Sequence, residues 1–578
     1  MFHSLVRCTL LILIFTALSW GQTATGDNKP APPGSSSTLP SSATPGGSQL
    51  SAPAAGSEPP HSPLFEAIRH FRRGEFDAAI QNYNLVLQNN PQSPDAYAGL
   101  ARVYLKQKNV EKAYEAATSG LKAADTPAVR VALGEVYFRQ GKIPEAEQEW
   151  ANVINKGYPS ARAYLGISRV RTALSLYAQA KTMLDKAHEL DPTDPDIQKR
   201  WISSLSRAEQ IQFWENYLAF PTNDDAETRA AMQHHLDYLK AMQNQPRHAC
   251  RLVSQFPSTE TNLLRMMIDP VHLRGYGLPV EVNGKKGKLL FDTGASGILI
   301  DSDLARKANI SQVSETDIGG IGDKGRAGGY VGFANSLKIG DLEFQDCRVQ
   351  VIEKRSVLDE DGLIGGDVFS RFLVDIDFPK EKLRLSPLPK RPDDTDSDEA
   401  LQASTEGSGT SADPASGKAP LETGAKASPA AQRGPRDRYI APEMRSYTQV
   451  YRFGHNLVIP TRIGDSPPRL FVLDTGSQRN LMSLKTAEEY TKVHNDSRMQ
   501  VRGLSGSVAK VYSADKVLLE FGRLRQENQN VISFDLSHMS DNLGTEVSGI
   551  LGFATLGLLD IHIDYRDGLV DFAYNGRP

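Results

Sequence analysis

Two short stretches assemble residue types suited to acid–base chemistry on a water molecule. The first reads Leu290-Phe291-Asp292-Thr293-Gly294-Ala295-Ser296, the second Val472-Leu473-Asp474-Thr475-Gly476-Ser477. In each, an apolar run delivers an aspartate into a turn of small residues. Composition alone yields on the order of 0.2 Asp-Thr-Gly copies in a chain this long, so one copy means little and two in matching context mean much more. Two carboxylates a few ångströms apart cannot both ionise easily and share one proton. The ionised member can take a proton from bound water while the protonated member donates to a developing oxyanion. No cofactor or covalent intermediate is needed. The 12 histidines form no ligand-spaced cluster, so no metal site is expected.

The elements around each aspartate repeat as well. Leu278 to Asp292 reads as a hairpin turning at Asn283-Gly284, and Leu457 to Asp474 as a second one turning through Asp465-Ser466-Pro467-Pro468. Asp292 is followed 73 residues later by Gly365 in Gly362-Leu363-Ile364-Gly365, and Asp474 is followed 78 residues later by Gly552 in Gly549-Ile550-Leu551-Gly552. A strand pair around a turn follows each, at Phe372 to Leu385 and Leu559 to Phe572. Over about 270–388 and 445–575 the chain resembles the retropepsin-like aspartic proteases, in which an Asp-Thr-Gly turn is matched by a later apolar-apolar-Gly segment.

That resemblance implies two mostly-β lobes hydrolysing peptide bonds in a peptide or protein substrate, with Asp292 and Asp474 as catalytic carboxylates. It implies that Thr293 and Thr475 lock the two loops through their hydroxyls, and that Gly294 and Gly476 let backbone approach the carboxylates. Ala295 and Ser477 make the sites unequal. A hydroxyl at Ser477 in contact with the carboxylate favours its ionised form, so Asp474 is expected to be the more acidic. Glycine-rich stretches at Ile318 to Tyr330 and Val501 to Ser507 stand where flaps are needed, with Gly320, Gly322, Tyr330, Gly503 and Gly506 as candidates. Asp367, Asp375 and Asp377 read as solvated strand-end carboxylates.

The segment before the first lobe has a different period. Ala79, Ala113, Ala146 and Ala180 are spaced by 34, 33 and 34 residues, with Gly74 and Gly141 each five residues ahead of their alanines. Two helices per period, small where they cross, resemble the tetratricopeptide repeat over about 63–195, with capping helices to 245. The resemblance implies a concave face that takes a protein partner.

The remaining chain sets boundaries. Cys8 to Trp20 is an apolar run of secretory length with small residues at Ser19 and Gly21, so 1–21 is read as a signal peptide and the protein as exported, periplasmic or secreted. The run is too short to span a bilayer, so no membrane insertion is expected after cleavage. Residues 22–62 and 391–439 are polar and rich in small residues and read as disordered linkers. The expected order is then repeats at 63–245, lobe 1 at 253–390 and lobe 2 at 440–578. A net charge of -4 over 578 residues carries no basic block, so no nucleic-acid partner is expected. After cleavage Cys250 and Cys347 remain; they could pair in an oxidising compartment, and separate buried thiols are the expected state. Two questions stay open: whether the lobes pair within one chain or between copies, and whether the chain is a protease or a non-catalytic repeat scaffold with protease-like lobes.

Overall fold

The computed structural model describes residues 62–574 apart from 222–223, 245–249, 256, 271, 323–326, 353–359, 395–434 and 496–498. The expected signal peptide, almost all of the first linker and most of the second lie outside the described residues.

Eleven α-helices open the described chain: α1 (Pro63–Arg72), α2 (Phe76–Asn89), α3 (Pro94–Lys106), α4 (Val110–Ala123), α5 (Pro127–Arg139), α6 (Ile143–Asn155), α7 (Ala161–Ala173), α8 (Tyr177–Leu190), α9 (Pro195–Trp201), α10 (Arg207–Ala219) and α11 (Ala226–Ala241). Their starts are locally encoded. Ser62, Ser93, Asn109, Ser160 and Asp194 each accept a backbone N–H of the first turn, and prolines occupy first-turn positions of α3, α5 and α9, where no N–H is needed. The four periodic alanines all lie on the second helix of a pair and are buried. Glycines on the facing helices let a large neighbour in: Trp150 packs so closely on Gly134 and Gly166 that a Cβ at either would overlap its indole, and its Nε1 donates to the Val131 carbonyl (3.1 Å).

Helices α3, α5, α7 and α9 are bridged by their own charges. Glu135 on α5 binds Arg102 of α3 (3.1 Å) and Arg162 of α7 (2.9 Å). Arg162 continues to Asp194 (3.0 Å) and Asp196 (3.2 Å), and Asp196 returns to Lys106 of α3 (2.8 Å). Burial would raise the Glu135 carboxyl, but Arg102 and Arg162 outweigh it and hold it below its usual range. Breaking one side of this network would leave a largely buried charge uncompensated.

Each lobe is built on the expected hairpin. Strand His272–Val282 returns as Lys285–Asp292 through Asn283 (φ 48°) and Gly284 (φ 74°), the left-handed pair that a two-residue turn requires. Strand Asn456–Ile463 pairs with Arg469–Leu473. The lobes are joined within one chain by a six-stranded sheet. Its order runs Thr448–Gln449, Leu569–Ala573, Asp560–Asp564, Phe372–Asp377, Lys382–Pro387, Thr259–Asn262, with Val374 opposite Ile563 and Ile376 opposite Ile561 at the junction. Val374, Ile376, Ile561 and Ile563 are buried in one core common to both lobes.

The array sits on both lobes. At lobe 2, Arg139 donates to the Ser540 carbonyl (2.8 Å) and pairs with Asp541, the Glu546 amide donates to the Arg139 carbonyl (2.9 Å), and Phe138 packs on Phe453. At lobe 1, α11 packs against strand Ser314–Ile318, with His234 near Asp317 (3.4 Å) and Arg348 over the Tyr238 ring (5.0 Å).

Three expectations are corrected. Cys250 and Cys347 are joined as a disulfide rather than buried as separate thiols, because strand Arg251–Leu252 pairs with Leu342–Ile352 and brings their Cα atoms to 4.1 Å. The ends of the second linker are packed: Arg391 binds Asp567 (2.6 Å), Arg436 pairs with Asp394, and the Tyr439 amide donates to Asp567 (3.0 Å). Asp367 and Asp375 are not simply solvated, as Asp375 faces His562 (2.5 Å) across the interlobe sheet; Asp367 is described with the site below. Among the described residues no helix is long and apolar enough to cross a membrane, and no group of residues could hold a metal ion.

Candidate active site

Both aspartates end their strands at the seam between the lobes. Strand Gly362–Gly365 runs parallel to Lys285–Asp292, with Gly365 opposite Asp292, and Gly549–Leu551 runs parallel to Arg469–Leu473. The apolar-apolar-Gly segments thus lie beside the strands that carry Asp292 and Asp474. Gly365 is required there, since a Cβ would overlap the Ala295 carbonyl, and its N–H donates to the Gly297 carbonyl (2.7 Å).

The loops grip each other symmetrically. The Thr293 amide donates to Thr475 Oγ1 (3.1 Å) and the Thr475 amide to Thr293 Oγ1 (3.0 Å). Each hydroxyl then donates across the seam, Thr293 to the Leu473 carbonyl and Thr475 to the Phe291 carbonyl, both at 3.0 Å. A Cβ on Gly294 would overlap the Asp474 carboxyl and one on Gly476 would overlap that of Asp292, so each glycine admits the opposite aspartate.

Asp292 and Asp474 are both fully buried. Asp292 Oδ1 accepts from the Gly294 amide (2.9 Å); Asp474 Oδ1 accepts from Gly476 (2.8 Å) and Ser477 (3.0 Å). Neither Oδ2 receives a donor from the rest of the protein, and each carboxyl is a hydrogen-bonding neighbour of the other. One proton between them satisfies both. Burial pushes Asp292 up to about 6, opposed by the hydrogen bond from Asp474 and by the loop amides. Burial, followed by the charge of Asp292, holds Asp474 well above the carboxylate range. Both carboxyls are raised, and the expected lowering of Asp474 by the Ser477 hydroxyl is not seen. The Ser477 hydroxyl donates to the Arg479 carbonyl (2.8 Å) and not to Asp474. The charge of Arg274, buried and paired with Glu360 (2.9 Å), favours ionised Asp292 instead.

Four of the five flap candidates lie in two tips that meet each other. The Gly320 amide donates to Ser505 Oγ (3.0 Å), the Ser505 amide donates to the Ile321 carbonyl (3.1 Å), and Gly322 and Gly503 lie so close to the opposite tip that neither could carry a Cβ. Gly503 and Gly506 face each other in the second tip. Tyr330 is not at the tip: it lies in the strand Ala327–Ile339, and its hydroxyl donates to the Ile310 carbonyl (3.4 Å). Between the tips, Leu504 is buried among Leu290, Ala295, Leu299, Ile318 and Leu363.

Sequence reading missed the second layer around these loops. Asp367 accepts from Ser296 Oγ and the Gly297 amide, both at 2.8 Å, and so braces the Asp292 loop. Asn480 does the same in lobe 2, accepting from the Gly552 amide (2.9 Å) and donating to Thr555 (2.6 Å). Their positions just after each turn and each later glycine were the available signal. Arg274 and His455 had none.

Fold and geometry together define the class: tetratricopeptide repeats followed by two retropepsin-like aspartyl protease lobes. The aspartyl protease family model matches residues 278–368 and 459–555, and the tetratricopeptide repeat model matches 70–130. Among curated proteins, the UBA domain-containing protein Mud1 of Schizosaccharomyces pombe is 35% identical over 18% of this chain and 31% of its own length. The DNA damage-inducible protein 1 of Neurospora crassa is 34% identical over 18% of this chain and 24% of its own. The chain therefore spans under a third of either relative. A thermophilic TPR protein from Thermus thermophilus aligns with 32% of this chain and 91% of its own at 22% identity, with a TM-score of 0.22.

Proposed function

We propose that this chain is an exported aspartic endopeptidase in which Asp292 and Asp474 activate a water against a peptide carbonyl. The observation that carries the reading is the reciprocal Thr293–Thr475 grip, which sets two buried carboxyls together with one unfilled oxygen each. Asp292, the readier to ionise, takes the water proton; Asp474, held protonated, donates to the oxyanion. Substrate enters when the Gly320–Ser505 contact opens and Leu504 leaves its apolar pocket. The Cys250–Cys347 disulfide and the apolar run Cys8 to Trp20 both suit an oxidising compartment outside the cytosol.

The test is cleavage of a denatured protein at mildly acid pH. Pepstatin-sensitive turnover that disappears in Asp292→Asn and separately in Asp474→Asn is the expected result. Pepstatin-insensitive turnover, or full activity in either variant, refutes the assignment. The closed flaps also fit a non-catalytic scaffold, and that reading requires no turnover at any pH.

A further inference from the structure

Lobe 2 sends one buried histidine across the seam to the loop that carries Asp292. His455 follows Gly454 in the turn between strands Tyr451–Phe453 and Asn456–Ile463, and its Nε2 lies 3.2 Å from the Gly294 carbonyl oxygen. A carbonyl only accepts, so Nε2 carries the proton. Burial pushes the imidazole below its ordinary range while Asp367 pulls the other way, which leaves the neutral ring protonated at Nε2. Besides Asp367 of lobe 1, Arg452 of its own hairpin acts on the ring, and Tyr565, packed on Gly366, faces the same two charges.

The accepting carbonyl belongs to the Gly294–Ala295 peptide. The N–H of that peptide, on Ala295, donates to the Asp292 main-chain carbonyl (3.2 Å) and lies where, with the Gly294 amide on Asp292 Oδ1, it favours the ionised carboxyl. A bond made at the oxygen of a peptide fixes its plane and strengthens the donor at its nitrogen. Counting back from Gly277, opposite Leu290, and from Val458, opposite Val472, the lobe 1 counterpart of His455 is Arg274. Arg274 pairs with Glu360, so the two loops are braced by different chemistry.

We propose that His455 is a positioning residue for the Asp292 loop: by holding the Gly294 carbonyl it fixes the turn whose Gly294 amide donates to Asp292 Oδ1 and whose Ala295 amide closes on the Asp292 main-chain carbonyl, and so favours the ionised carboxylate. This rests on the reading of Asp292 and Asp474 as the working pair. The ring touches neither carboxyl and acts only through the peptide.

The experiment compares wild type with His455→Leu, which removes the donor, and His455→Gln, whose side-chain amide restores an N–H at similar reach. Pepstatin-sensitive cleavage is followed from pH 3 to 8. In His455→Leu, kcat falls about tenfold with KM nearly unchanged, and the acid limb moves to higher pH. In His455→Gln, both return to within about twofold of wild type. His455→Asn, polar but too short to reach Gly294, behaves like the leucine variant and gives the same contrast in a background that folds more readily. A second readout needs no turnover: the pH at which Asp292 protonates, taken from the difference in unfolding between each protein and its Asp292→Asn partner, moves up in His455→Leu and returns in His455→Gln. If the chain never cleaves protein, the protease reading fails while this readout still decides the role of His455. Equal losses in the leucine and glutamine variants, with the limb and the unfolding midpoint unmoved, overturn the proposal.

Discussion

Replacing Asp292 by Asn should make the folded lobes more stable at neutral pH, and the gain should vanish in acid. In the unfolded chain the carboxyl titrates near its ordinary 3.8; in the fold, burial raises it to about 6. A carboxyl raised on folding contributes its full stability below the unfolded value and loses it as pH rises through the folded one. The gap of roughly two units corresponds to about 3 kcal/mol. Asn keeps the shape and can still accept from the Gly294 amide; it also removes the charge that raises Asp474, so the difference belongs to the pair and about 3 kcal/mol is its upper bound. Equilibrium urea unfolding of wild type and variant is measured from pH 3 to 8. The curves should coincide near pH 3, separate between 4 and 6, and differ by up to about 3 kcal/mol above that. Parallel curves across the range would refute the claim that the fold confines this charge.

Thr475→Val should cost about 2–4 kcal/mol, because it strands the Phe291 carbonyl and the Thr293 amide, while Thr475→Ser should retain most of the stability; urea unfolding checks both. Gly476→Ala puts a methyl group into the Asp292 carboxyl, and cleavage assays should show a loss of about a hundredfold or more. Arg139→Ala removes the buried pair with Asp541 and the bond to Ser540, so hydrogen exchange at Thr545, Glu546 and Val547 should speed up by about tenfold or more while exchange within α1–α4 stays unchanged.

What the sequence revealed was whatever a short stretch determines by itself. The alanine period is legible because each crossing point recurs within its own helix pair, and both hairpins are legible because Asn283-Gly284 and the apolar strands specify their own turns. Asp292 and Asp474 followed from those hairpins. Contacts between distant stretches left no local mark. Cys250 meets Cys347 only through a pairing 97 residues apart, and Asp367 reaches the Asp292 loop only after strand Gly362–Gly365 is laid beside it. Ser477 misled because its type matched a role that its rotamer gives to the Arg479 carbonyl. Tyr330 was misplaced because a long strand, Ala327–Ile339, carries it away from the tip.

The sheet that joins the lobes draws strands from three separated parts of one chain, Thr259–Asn262, Phe372–Pro387 and the segments from Thr448 to Ala573. Two halves made as separate copies would find each other only at sufficient concentration and would part on dilution. Joined covalently, each half meets its partner at an effective concentration set by the tether, whatever the amount of protein present. Specific activity should therefore not fall as the protein is diluted. The two halves are also free to diverge, since a change in one is no longer copied into the other, and Arg274 facing Glu360 in one lobe while His455 reaches Gly294 from the other is such a divergence.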